Sequence, residues 1–294
     1  GLVGSEMCIR DRYVNKLLEV SPNYFEKTIL LNTGSEATDA AYRLIKSWAK
    51  QNNKKYIVTF NGSYHGRVLG SAFICGSKDS IKWSSMEDDD VVFIDFPVDP
   101  DTKFDPSILP PADEIAAFFL ETYQGWAAWM YPQDYIQGLY NFARDNGALV
   151  CFDEVQSGFY RMGELYGYMT YGDNIKPDLI CLGKGISSSV PMSAILGTKE
   201  IIDIDLNANL SGTHAGNTLG CAACLANIKF LTNKSFQKEL KKRIQVFERR
   251  SHKLLDYDCV TNVNARGMVA GIVFDTTERT NKIVTDCIES GVLP

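Results

Sequence analysis

The hydrophobic and polar positions alternate between helix-spaced faces and short apolar runs. After Thr33, a residue able to cap a helix with Glu36 reaching back to it, apolar residues fall at Ala37, Ala40, Ala41, Leu44, Ile45 and Trp48. That spacing predicts one buried helix face. Runs rich in β-formers follow at Tyr56 to Phe60, Val91 to Ile94, Ala116 to Glu121, Ala148 to Asp153 and Leu179 to Leu182. Several are apolar throughout, the pattern of strands covered on both faces. Gln133 to Asn146 places Ile136, Leu139, Tyr140 and Ala143 on one helical face and stops at Asn146-Gly147, a helix exit. Strand, helix and strand in this rhythm predict an α/β fold with a largely parallel sheet. From about Ser235 a long charged helix carries Phe236, Leu240, Ile244 and Phe247, and a strand pair is expected around Val260 to Phe274. The change of pattern sets a large domain at 13–234 and the start of a small α+β domain at 235–294. Residues 1–12, GLVGSEMCIRDR, read as a non-native leader, and the chain stops at Gly291-Val292-Leu293-Pro294 where a strand is expected next. The sequence therefore reads as an internal fragment.

Composition narrows the chemistry. The 294 residues are 45% hydrophobic and 22% charged, with 30 basic against 36 acidic side chains, a net charge of -6 and a pI near 5.2. Nothing in that balance attracts nucleic acid or an anionic membrane, so small-molecule chemistry moves forward. Of the eight cysteines, Cys75, Cys151 and Cys181 sit in apolar runs and read as buried free thiols. Cys221 and Cys224 form a lone CxxC inside the helical GNTLGCAACLANIKFL, without the second pair or histidine cluster that metal binding needs. No apolar stretch reaches a membrane span and no secretory leader opens the chain, so a reducing, cytoplasmic location is expected.

In open α/β sheets ligands sit beyond the carboxyl ends of the strands. Four polar clusters fall there. In LNTGSEATDAAYRLIK, Gly34 and Ser35 offer backbone N–H groups at the positive end of a helix, a place for phosphate, although Thr-Gly-Ser-Glu is also simply a good helix start. FNGSYHGR supplies an aromatic face (Tyr64), an imidazole (His65) and a cation able to grip a carboxylate (Arg67); it matches neither common phosphate-loop motif. LVCFDEVQ ends a buried strand on Asp153, which calls for a cationic or strongly donating partner. Its neighbour Glu154 points to the opposite face, so only one of the two acids can serve the site. In LICLGKGIS, Lys184 stands between two glycines at a strand end, poorly explained as surface charge; a buried lysine there could form a Schiff base.

Asp153 and Lys184 lie 31 residues apart, a step between neighbouring strand ends. A phosphate turn, an aromatic stacker, an acid for a pyridinium nitrogen and an imine-forming lysine are together what pyridoxal 5'-phosphate requires. In these motifs the sequence resembles the class III (ω-amino acid) pyridoxal-phosphate-dependent aminotransferases of fold type I, from about Tyr13 to the end. The resemblance implies a large domain with a mostly parallel, seven-stranded type of sheet. It implies that Gly34 and Ser35 hold the cofactor phosphate, that Tyr64, followed by His65, stacks on the ring, and that Asp153 pairs with the ring nitrogen. Val155 would cover the other ring face, Gln156 approach the phenolic oxygen, and Lys184 bind the aldehyde. Thr213 would reach the phosphate of a neighbouring subunit's cofactor, implying a homodimer with shared sites. Arg67 and Glu121 are implied on the substrate side, Arg67 on a far carboxylate and Glu121 as partner of a switchable arginine from the C-terminal part.

The implied reaction is ping-pong transfer of an amino group from an ω-amino acid or amine of the 4-aminobutyrate kind to 2-oxoglutarate or pyruvate. An aminomutase of the glutamate-1-semialdehyde type would use the same cofactor residues, and the chain as it stands could also be a non-functional fragment. A nicotinamide-dependent dehydrogenase is argued against by the missing GxGxxG. Two departures from the family pattern are Glu121-Thr122 for Glu-Pro and Gly216-Asn217-Thr218 for Gly-Asn-Pro.

Overall fold

The computed structural model describes residues 2–77, 81–204 and 210–293, with side chains from Cys8 onward. In chain order the elements are α1 (Leu2–Val20), β1 (Lys27–Leu31), α2 (Gly34–Gln51), β2 (Tyr56–Phe60), α3 (Leu69–Phe73), β3 (Val91–Ile94) and β4 (Ile115–Glu121). Two short strands, β5 (Tyr123–Gln124) and β6 (Trp129–Met130), precede α4 (Gln133–Asp145), β7 (Leu149–Asp153), β8 (Leu179–Leu182), β9 (Ser193–Gly197) and α5 (Lys199–Ile202). Then come α6 (Thr218–Leu231), α7 (Lys234–His252), β10 (Val260–Arg266), β11 (Val269–Phe274) and α8 (Thr277–Glu289). Every described helix is too short or too polar to cross a membrane.

Seven strands form one sheet in the order β1-β9-β8-β7-β4-β2-β3. The pairs β2 with β3, β2 with β4, β4 with β7 and β7 with β8 are parallel. Only β9 runs against the others, pairing antiparallel with β8 and β1. The five expected strands are all present, within a residue of their expected ends. The two missing from the sequence reading are β1 and β9, whose register joins Lys27 to Gly197 across the length of the fold.

Alternation along each strand divides the core into two layers. One face carries Ile57, Ala117, Phe119, Cys151, Leu179 and Cys181 under α2, whose Ala37, Ala40, Ala41, Leu44, Ile45 and Trp48 are all buried as the spacing predicts. The opposite face carries Val58, Phe118, Leu120, Val150 and Phe152 under Ile136, Leu139 and Ala143 of α4. Each large side chain so buried contributes about 1.5–3 kcal/mol. Cys75, Cys151, Cys181, Cys221 and Cys224 are buried thiols outside any disulfide, the last two packed in the same core cluster as Tyr13 of α1.

Beyond the sheet, α7 leads into the β10–β11 hairpin, whose strands pair antiparallel. The hairpin seats on the sheet's loops: Asn264 Nδ2 donates to the Ala127 carbonyl at 2.9 Å, and Met268 N–H donates to the Arg161 carbonyl at 2.7 Å.

Candidate active site

The carboxyl ends of β2, β4, β7 and β8 open into a cleft of about 570 Å³. Its lining unites Gly34, Ser35, Tyr64, His65, Glu121, Asp153, Val155, Gln156 and Lys184, nine of the eleven residues singled out in the sequence. The other two, Arg67 and Thr213, lie outside it. Arg67 is exposed, and its backbone N–H donates to Ser35 Oγ at 3.2 Å; Thr213 is exposed on the loop before α6.

The phosphate-like end is built by α2. Thr33 Oγ1 accepts from Glu36 N–H at 3.2 Å, while Glu36 Oε2 accepts from Thr33 N–H at 2.9 Å and Asn32 N–H at 2.8 Å. This reciprocal cap fixes the first turn with its amide groups directed to the cleft mouth. The fit around it is close. A Cβ on Gly34 would stand 2.8 Å from Val155 Cγ1, and a Cβ on Gly66 (φ 132°) would meet Ser35 Oγ at 2.3 Å. Glycine is needed at both places because another backbone or side chain occupies the space of a methyl.

At the floor, Asp153 and Glu121 end adjacent parallel strands in register. Asp153 Oδ2 accepts from His65 Nδ1 at 2.8 Å, and Oδ1 accepts from Val155 N–H at 3.0 Å. The expected strong partner of Asp153 is thus an imidazole, itself buried and set edge-on to Phe119 with ring centroids 4.8 Å apart. A carboxylate only accepts, so His65 carries its proton on Nδ1, leaving the buried Nε2 without a partner among the described residues. Burial, then the neighbouring Asp153 charge, push the Glu121 carboxyl well above the ordinary carboxylate range, although Glu121 Oε2 accepts from Tyr64 N–H at 3.1 Å.

Glu154 faces away, as alternation predicts. Its fully buried carboxylate takes donors from Ser157 Oγ at 2.8 Å, Gly167 N–H at 2.6 Å, Tyr168 N–H at 2.8 Å and the Thr122 hydroxyl. The Thr122 departure therefore supplies a hydroxyl that anchors the loop after β7. Burial dominates and raises the Glu154 carboxyl despite those donors.

Lys184 opens the turn after β8 with φ 36°, a left-handed backbone that costs a non-glycine residue about 1–3 kcal/mol. Asn227 of α6 holds that turn, its Nδ2 donating to the Gly185 and Ile186 carbonyls at 2.7 and 3.1 Å. One expectation is corrected here: Lys184 is exposed in the chain, not buried, because the turn lifts it over the open cleft. The side chain of Tyr64 is likewise half exposed in the cleft wall. Sequence reasoning missed Tyr123, Trp126 and Asn227, which line the cleft or brace its lysine. No local pattern marks them, since each reaches the site through tertiary packing.

The model of the class-III aminotransferases matches residues 8–294. The chain belongs to that family. It is 30% identical over 276 residues to an ornithine aminotransferase of Plasmodium yoelii yoelii, covering 90% of this chain and 64% of that protein. It is 31% identical over 268 residues to a [LysW]-aminoadipate semialdehyde/glutamate semialdehyde transaminase of Sulfurisphaera tokodaii, covering 90% of this chain and 66% of that one. The chain thus spans just under two thirds of these curated relatives. Among solved structures, ornithine aminotransferase from Toxoplasma gondii, described with pyridoxal phosphate at its active site, superposes with a TM-score of 0.83 at 22% identity over 97% of this chain and 68% of that one. That likeness shows the class-III fold: a largely parallel sheet between helices, of fold type I.

Proposed function

We propose that this class-III protein is a pyridoxal 5'-phosphate-dependent aminotransferase, moving the amino group of an ω-amino acid or amine to a 2-oxo acid such as 2-oxoglutarate or pyruvate. The observation that carries the reading is the convergence of Lys184, the Asp153–His65 pair, the α2 N-terminus and the Tyr64 ring on one cleft. The donor set fits the cofactor. Amide groups of Gly34 and Ser35 suit its phosphate, Tyr64 and Val155 suit the two ring faces, Asp153 suits a protonated ring nitrogen, and Gln156 suits the phenolic oxygen. When bound, the group serves as an electron sink for the substrate carbanion.

The chain's own residues then divide the work. His65 holds Asp153 in one orientation through the 2.8 Å contact, and the carboxylate so fixed would favour a protonated ring nitrogen on a bound cofactor. Lys184 Nζ would hold the cofactor through its aldehyde and, once released, would be the amine placed to carry protons in the cleft. Glu121, its carboxyl pushed upward by burial and by the Asp153 charge, would stand on the substrate side of the cleft. Relatives named for ornithine support an amino acid with a distal amine as the donor class, and a donor of the 4-aminobutyrate kind is our finer proposal within it. A homodimer with shared sites is supported by the exposed Thr213 and by the apolar Leu219 and Phe230 left exposed on α6. Residues 13–234 act as the cofactor domain and 235–294 as the start of the small one, in a cytoplasmic setting that agrees with eight free thiols.

Addition of pyridoxal phosphate is expected to give a visible absorbance that borohydride bleaches and that Lys184→Ala loses. A protein that stays colourless in both forms would overturn the reading. Dependence of product formation on an added 2-oxo acid separates transfer from an aminomutase reaction.

A further inference from the structure

A second cavity, of about 310 Å³, lies on the far side of Lys184 and shares Tyr123, Gln156 and Lys184 with the main cleft. Its remaining wall includes Arg161 and the hairpin residues Met268 and Val269. We propose that this cavity is an anion subsite in which Arg161 and the Tyr123 hydroxyl hold a carboxylate of the substrate whose reacting carbon sits at Lys184. The placement of that carbon rests on the function proposed above.

Donors converge there, and no carboxylate lines the cavity to meet them. The cavity lining contains Arg161, Lys184 and the Gln156 amide, and no aspartate or glutamate. The Tyr123 hydroxyl is buried and unpartnered among the described residues; the Arg161 charge acts on it, as do the Glu121 and Glu154 carboxyls from outside the cavity lining. A guanidinium cannot accept from it. A carboxylate would accept from the phenol and the guanidinium together, and burying a phenol without such a partner is unfavourable. Arg161 spends one N–H on the Met268 carbonyl at 3.2 Å, and among the described residues its others meet no carboxylate. The backbone that delivers it is constrained: Phe159 and Tyr160, at φ 56° and 67°, are left-handed non-glycine residues. Phe159 N–H is tied to the Leu165 carbonyl at 2.6 Å. Strain of this kind concentrates where a side chain must be held for a ligand. The cavity is at the small end for ligand sites, suited to the end of a short acid and not to a second cofactor.

Glutarate, a dicarboxylate with no group to react, is the probe, titrated calorimetrically into the full chain with and without pyridoxal phosphate. Arg161→Gln should weaken its binding by about tenfold, one charge-assisted hydrogen bond. Arg161→Lys should recover part of the loss, and Tyr123→Phe should weaken binding by about threefold, a neutral bond. Tyr123→Phe removes only a hydroxyl without a partner, so its melting temperature controls for misfolding. Equal glutarate affinity in wild type, Arg161→Gln and Tyr123→Phe, or no glutarate binding by a folded chain, would overturn the subsite. Failure to load pyridoxal phosphate strikes the proposed function instead, and the cofactor-free titration still decides the subsite.

Discussion

Asp153 and Glu154 show how one step along a strand separates two carboxylates into different roles. Asp153 meets the cleft and His65; Glu154 closes a buried knot of four donors that pins the segment from Ser157 to Tyr168. Glu154→Gln replaces an acceptor-only group by one that must aim two N–H donors at other donors. It should lower stability by about 2 kcal/mol, read from the denaturation midpoint. Glu121 invites a different test. Its folded carboxyl is raised above the unfolded value, so its stabilising contribution is full below the ordinary carboxylate range and is lost as pH rises through the raised value. Glu121→Gln should therefore gain in melting temperature relative to wild type as pH increases, and a gain that shrinks toward alkaline pH would contradict the assignment. Strand alternation makes the division of the two acids legible in the sequence. The identity of their partners is not, because His65 and Thr122 arrive from the segments after β2 and β4.

At the scale of elements, α2 is the segment whose local code and tertiary role agree most fully. Its cap, its apolar face and its approach to Val155 are each set by residues between Thr33 and Trp48. Thr33→Ala should cost about 1 kcal/mol of stability by removing the hydroxyl that accepts from Glu36 N–H. If the α2 N-terminus also holds phosphate, the same change should weaken pyridoxal phosphate retention on dialysis. The strands buried on both faces were equally legible, since their apolar runs have no competing explanation. β1 and β9 were not. β1 is a half-buried edge strand without alternation, and β9 is an antiparallel insertion between β1 and β8. Pairing partners some 170 residues apart leave no mark in a local window: Lys27 opposite Gly197 is a property of the sheet, not of either segment.

The whole molecule joins its late elements to the cleft through backbone contact, and glycine makes that contact possible. A Cβ on Gly271 of β11 would lie 1.9 Å from the Ala127 carbonyl oxygen, and one on Gly267 (φ 66°) would lie 2.4 Å from Met162 Cα. Neither obstacle is the flexible end of a side chain, so the hairpin must move if either methyl is added. The segment under Gly271 carries Trp126, a wall of the main cleft, while the turn at Gly267 and Met268 holds Arg161. Gly271→Ala should thus cost about 3 kcal/mol of docking. The sheet core, whose strands pair with one another and not with the hairpin, should keep its protection from hydrogen exchange. The expected signature is selective proteolysis within residues 260–274 together with changed fluorescence of Trp126. Uniform destabilisation of sheet and hairpin would instead mean that the two fold as one unit, and an unchanged protection pattern would mean that the hairpin is not seated on Ala127 in solution. Should the hairpin lift selectively, glutarate affinity should fall with it, because the Met268 carbonyl and N–H that hold Arg161 leave together. In that event the small C-terminal elements would set the geometry of the anion subsite from outside the sheet, a coupling that no pattern within residues 260–274 announces.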